Sequence, residues 1–136
     1  MDTTSTVEYL GGLRTLARHR LSGKEMITDA PPDNRGKGEA FSPTDTVATA
    51  LATCILTTIG IKAYDSGFSI DGAKANIVKV MASNPRRIAE VVVELNFPAN
   101  DYSEKERKLI INTAKSCPVA RSLHTDLKQT LIFNFA

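Results

Sequence analysis

The sequence predicts a single α+β domain, on three observations. Between Ile88 and Phe97, the apolar residues Ala89, Val91, Val93, Leu95 and Phe97 alternate with Glu90 and Glu94, the pattern of a half-buried antiparallel strand. From Thr46 to Ile61, 16 residues pass without a charge and include five threonines, which reads as a helix buried on every side, by its own sheet or in part by a second subunit. Two helix-start signatures, Ser42-Pro43-Thr44-Asp45 and Ser103 with Glu106, each precede an apolar segment of helical period. A chain of 136 residues holds one core, so residues 1–136 are read as one domain, with no internal repeat and no low-complexity segment.

The elements follow in order. Up to about Asp29, the apolar pieces Val7 to Leu10 and Met26-Ile27 are separated by Gly11-Gly12 and Ser22-Gly23, which suggests a short antiparallel meander. Ala30 to Phe41, with two prolines, two glycines and an Asp-Asn pair, is a loop. Ser42 then caps a helix, with Pro43 suited to the first helical position and Asp45 to the third. That helix runs toward Lys62, with Val47, Ala50, Leu51, Cys54 and Thr58 on one stripe, a kink or end allowed at Gly60, and Gly67 closing the following turn. Ala73 to Ala82 and Ile88 to Phe97 form a hairpin about Ser83-Asn84-Pro85. The Ser103/Glu106 capping box opens a helix through Leu109, Ile110 and Ala114, interrupted at Pro118 because proline disfavours helical geometry at Cys117. A short helix from Pro118 to about Leu127 follows, and Leu131, Phe133 and Phe135 alternate in a final strand.

Composition excludes several function classes. Lys and Arg number 17 against 15 Asp and Glu, interspersed without a basic block, so nucleic acid is not an expected partner. The uncharged run is shorter than the about 20 apolar residues of a membrane span, and the opening residues lack the apolar region of a secretory signal. No membrane partner and a cytoplasmic location are therefore expected, and a reducing compartment disfavours a persistent structural disulfide. His19 and His124 pair with neither cysteine at zinc spacing, and Gly36 to Gly38 lack the surroundings of a phosphate loop, so no metal and no cofactor are expected.

What remains is a pair of cysteines, Cys54 and Cys117, 63 residues apart. A working thiol needs a positive charge or a helix N-terminus to favour the thiolate. Cys117 sits where the helix begun by Pro118 offers amide groups, whereas Cys54 lies about three turns into its helix among apolar neighbours. On the residues alone the pair is core packing, a structural disulfide or a redox couple.

The stretch FSPTDTVATALATCILTTIG resembles the first cysteine motif of the OsmC/Ohr family (osmotically induced protein C and organic hydroperoxide resistance protein), and CPVARSLHTDL resembles its second. With the motifs in the family's order, the resemblance spans nearly the whole chain. It implies an α+β fold of antiparallel sheets with long central core helices, in an intertwined homodimer. It also implies reduction of organic hydroperoxides in stress response: Cys54 as the attacking thiol, Cys117 as its resolving partner, and a dithiol reductant, lipoyl-type or thioredoxin-type, to restore both. The family's arginine, which favours the thiolate and orients the peroxide, maps to Arg14 in Gly-Gly-Leu-Arg, with Arg35 the alternative. The family's glutamate often directly follows a Ser-Pro or Asn-Pro pair, a position held here by Thr44. Asp45, one residue later, is the candidate acid, with a helix-cap reading beside it. The alternative within the family is a small-molecule-binding or redox-sensing protein without turnover.

Overall fold

The computed structural model describes residues Met1–Ala136, which divide into two compact units, Met1–Val47 and Ala48–Ala136. In the first, β1 (Ser5–Gly11), β2 (Arg14–His19) and β3 (Glu25–Asp29) form the expected antiparallel meander, in the order β1-β2-β3. The loop that follows holds one turn of 3-10 helix, Pro32–Asn34. It returns to the sheet where the Asp29 amide donates to the Phe41 carbonyl at 3.1 Å.

Helix α1 (Pro43–Asp65) starts as its sequence dictates. The Asp45 amide donates to Ser42 Oγ and the Ser42 amide to Asp45 Oδ2, each at 3.0 Å, so two orphan amides of the first turn are satisfied reciprocally. The helix passes through Gly60, whose penalty of about 1 kcal/mol relative to alanine does not end a 23-residue helix. It stops in a Schellman arrangement: the Phe68 amide donates to Ala63 O and the Gly67 amide to Tyr64 O, with Gly67 at φ 80°.

The helix is not buried on every side within this chain. Its buried stripe is Ala48, Leu51, Ala52, Ile55, Ile59 and Ala63, one residue round from the stripe expected, while Thr53, Thr57, Ile61 and Tyr64 are exposed. Thr53 Oγ1 donates to Ala50 O at 2.9 Å and Thr58 Oγ1 to Cys54 O at 2.7 Å, so the polar groups of this face partly serve one another. By length and hydropathy α1 is apolar enough to cross a bilayer, but its buried stripe belongs to the core of the second unit.

That core is built on β5 (Arg87–Phe97), the middle strand of the sheet β4-β5-β6, where β4 is Lys74–Ala82 and β6 is Lys128–Phe135. Val91, Val93, Leu95 and Phe97 are buried as their alternation requires, and they share one cluster with the α1 stripe, with Ile110 and Ala114 of α2 (Glu104–Ala114), and with Cys117. The Ser103/Glu106 capping box is present in full at the start of α2.

Two expectations are corrected. β4 and β5 are antiparallel, but β6 pairs with β5 in parallel, so this sheet is mixed. Alternation in β6 identifies its inner face but not its neighbour's direction, and residues 98–127, carrying α2 and α3 (Pro118–Ser122), supply the long crossover that a parallel pairing needs. Helix α3 ends at Ser122 and not near Leu127. The His124 ring accepts the Asp126 amide at 3.0 Å and the Leu127 amide donates to His124 O at 3.0 Å, a turn that replaces further helix. The chain supplies one long helix, α1, since α2 spans only 11 residues.

Leu95 is fully buried, so Leu95→Ala is expected to lower stability by about 2–5 kcal/mol in urea denaturation. Ser103→Ala, which removes only the cap, is expected to cost about 1 kcal/mol in the same experiment.

Candidate functional site

The second unit brings Cys54 and Cys117 together. Cys54 comes from the flank of α1 beside its buried stripe and is half-buried; Cys117 caps the start of α3 and is 0% exposed. Both are free thiols. Cys117 Sγ accepts the Ala120 amide at 3.4 Å, and Cys54 Sγ lies 4.0 Å from Thr58 Oγ1.

The two sulfurs have opposite electrostatic characters. Burial pushes the Cys54 thiol up, but the Val119 amide, hydrogen bonding from the Cys117 thiol and the Thr58 hydroxyl together bring it below the ordinary thiol value. Thr58 contributes least; its hydroxyl also donates to the Cys54 carbonyl at 2.7 Å. For Cys117, burial dominates and pushes its thiol up; the Ala120 and Val119 amides oppose this, while interaction with Cys54 adds to it. Of the two thiols, Cys54 is the one that ionises more readily. Sequence alone assigned the amides of α3 to Cys117, whose sulfur caps them. It did not reveal that Val119 also serves Cys54, a residue distant in the chain.

Arg14 and Asp45 belong to the first unit. Arg14 reaches Asp29 across the β2–β3 pair, with Nη2 3.5 Å from Asp29 Oδ2, and also forms an ion pair with Glu39. Asp29 has only 2% of its side chain exposed, so its charge requires partners. Its Oδ2 accepts the Glu39 amide at 3.0 Å, and this bond outweighs burial, with the Arg14 guanidinium and the Ala30 amide helping, to hold its carboxyl below the usual range. Asp29 and Glu39 are the acids that sequence reasoning missed. Asp29 read as the end of a strand and Glu39 as loop, and only the cross-strand register and the loop's return join them to Arg14. Asp45 is engaged in the α1 cap with Ser42, and Arg35 is exposed in left-handed geometry at φ 71°. No three His, Cys, Asp or Glu side chains converge as metal donors.

The family model described as OsmC-like protein matches residues 36–131. The solved structure of a candidate osmotic stress induced and detoxification response protein from Psychrobacter arcticus 273-4 is 53% identical, with a TM-score of 0.94 over 98% of this chain and 96% of that one. The organic hydroperoxide resistance protein OsmC of Legionella pneumophila superimposes with a TM-score of 0.75 at 15% identity, over 98% of both chains. OhrB of Bacillus subtilis, an organic hydroperoxide resistance protein, superimposes at 0.67 and 16% identity, over 96% of this chain and 98% of that one. These last two likenesses show a shared fold. No curated protein matches the chain.

In the reduced protein, Cys54 is expected to react with iodoacetamide with a pH midpoint below that of an ordinary thiol. Cys117→Ala, which removes a donor, is expected to raise that midpoint and slow alkylation at neutral pH by about two- to tenfold. A second pH effect lies at the acid end. Asp29 titrates lower folded than unfolded, so its contribution is present above the ordinary aspartate value of about 3.9 and is lost as pH falls through the folded value. Asp29→Asn should therefore flatten the acid limb of a stability-versus-pH curve measured by thermal denaturation.

Proposed function

The chain belongs to the OsmC-like protein family, and we propose that it is a thiol-dependent peroxidase that reduces organic hydroperoxides to alcohols. Solved structures of this fold include proteins named for organic hydroperoxide resistance. The observation that carries the reading is the asymmetric thiol pair, Cys54 half-buried and lowered, Cys117 buried and raised.

The Cys54 thiolate attacks the terminal oxygen of the hydroperoxide, the O–O bond breaks, and the alkoxide leaves and takes up a proton to become the alcohol. Cys54 is then a sulfenic acid. The Cys117 thiol attacks the Cys54 sulfur, its proton and the sulfenic hydroxyl depart as water, and a Cys54–Cys117 disulfide forms. A dithiol reductant of lipoyl or thioredoxin type returns both thiols by exchange and leaves as its own disulfide. A reducing, cytoplasmic setting suits a pair that must be reduced after every cycle.

Arg14 is the group assigned to orient the peroxide, with Asp29 and Glu39 as the acids that hold its guanidinium; Arg35 is the alternative. For Asp45, the two bonds with Ser42 support the helix-cap role. A homodimer is part of the reading, supported by the apolar residues Ile61 and Tyr64, 58% and 86% exposed on the uncovered face of α1.

One observation favours a second reading, a redox-sensing or small-molecule-binding protein that oxidises once. What lowers Cys54 is an amide, a thiol and a hydroxyl, all dipoles, with no full positive charge among them.

Reduced protein given cumene hydroperoxide and a dithiol donor is expected to turn over many times, and Cys54→Ser to lose that activity by at least two orders of magnitude. A folded wild type no more active than Cys54→Ser removes the peroxidase reading. In that case, one equivalent of Cys54–Cys117 disulfide by mass spectrometry, not recycled by the donor, identifies the sensor.

A further inference from the structure

The inner row of β6 consists of Gln129, Leu131, Phe133 and Phe135, and its last three members pack against the hydrophobic core. Gln129 is the one polar member of that row. It is half-buried, stands opposite buried Val91 in the parallel pairing, and its Nε2 donates to the Ala120 carbonyl at 2.9 Å. Ala120 is the residue whose amide reaches Cys117 Sγ at 3.4 Å. One residue therefore bonds a site sulfur through its N–H and a β-strand side chain through its C=O.

Helix α3 cannot hold this geometry alone. It has five residues, closed by the Arg121 amide on Cys117 O at 3.1 Å and by Ser122 Oγ on Pro118 O at 2.8 Å, and a helix so short is unstable without tertiary support. The preceding α2 ends at Ala114, and the turn after Ser122 is local to His124, so the cross-link from β6 is the polar tie between α3 and the sheet.

We propose that Gln129 is a positioning residue of the two-thiol site: by holding the Ala120 carbonyl it sets the α3 turn so that the Val119 and Ala120 amides meet the sulfurs of Cys54 and Cys117. The inference rests on the reading of Cys54 as nucleophile but not on turnover. The groups that act on the Cys54 sulfur are the Val119 amide, the Cys117 thiol and Thr58; the first two come from the segment Gln129 holds, the third from α1 itself. A displaced turn withdraws the first two together.

Two variants test this. Gln129→Met keeps the side-chain length and removes the donor, while Gln129→Asn keeps the amide and removes its reach. In each, fully reduced, the pH dependence of Cys54 alkylation by iodoacetamide is followed by peptide mass spectrometry, with the thermal midpoint recorded in parallel. Both variants are expected to move the Cys54 midpoint up and to slow its alkylation at neutral pH by about threefold to tenfold. A folded variant whose Cys54 profile superimposes on wild type, whatever its thermal midpoint, overturns the proposal and leaves Gln129 as a partner for one carbonyl at the end of α3. Should Gln129→Met fail to fold, Gln129→Asn decides by the same reading. Because no peroxide is used, a wild type that fails the turnover assay leaves this test intact, and active wild type with unshifted variants sinks this proposal alone.

Discussion

The apolar contact between one stripe of α1 and the inner row of β5 creates the difference between the two thiols. Leu51, Ile55 and Ile59 share a dry cluster with Val91, Val93 and Leu95, and Ile110, Ala114 and Cys117 join the same cluster from the α2–α3 segment. Cys117 is fully buried because it belongs to that cluster. Cys54 stands at its edge because the buried stripe passes beside it. One stripe position thus decides which sulfur is desolvated and which can be reached.

Burial by itself would suppress both thiols. What separates them is the supply of donors: a turn of backbone at the start of α3, fixed by Pro118 and by tertiary bonds, points amides at sulfurs of residues 63 positions apart. At each sulfur burial and backbone amides oppose one another, and the outcome differs: the donors prevail at Cys54, whereas burial prevails at Cys117. The first unit follows the same rule. A buried carboxylate, Asp29, is tolerated because an amide and a guanidinium meet it.

Much of this was legible in the residues. Local chemistry wrote itself into short spacings: Ser42 with Asp45, Ser103 with Glu106, the alternation from Ala89 to Phe97, and Cys-Pro ahead of a short helix. The features that were not legible depend on partners far apart in the chain. Strand β6 announces its inner face through Leu131, Phe133 and Phe135 but not that it runs parallel to β5. Arg14 does not announce that Asp29 and Glu39 will flank it, and Cys54 does not announce an amide from residue 119. Within one chain the uncharged run is covered only where the sheet meets it: Ala48, Leu51, Ala52, Ile55, Ile59 and Ala63 form the buried stripe, while Thr53, Thr57, Ile61 and Tyr64 lie outside it, and nothing in the residues themselves separates the two faces.

The parallel pairing of β5 with β6 also governs the order in which the second unit can close. An antiparallel neighbour can zip up from a tight turn, whereas β6 meets β5 only after 98–127 has been laid across the sheet, a contact of long sequence separation whose loop must close before any ladder bond repays it. The β4–β5 hairpin and the capped helices can assemble early; the tie from Gln129 to α3 cannot exist until β6 has docked. Docking of β6 and completion of the Gln129 tie to α3 are thus a single event, set by closure of the 98–127 connection.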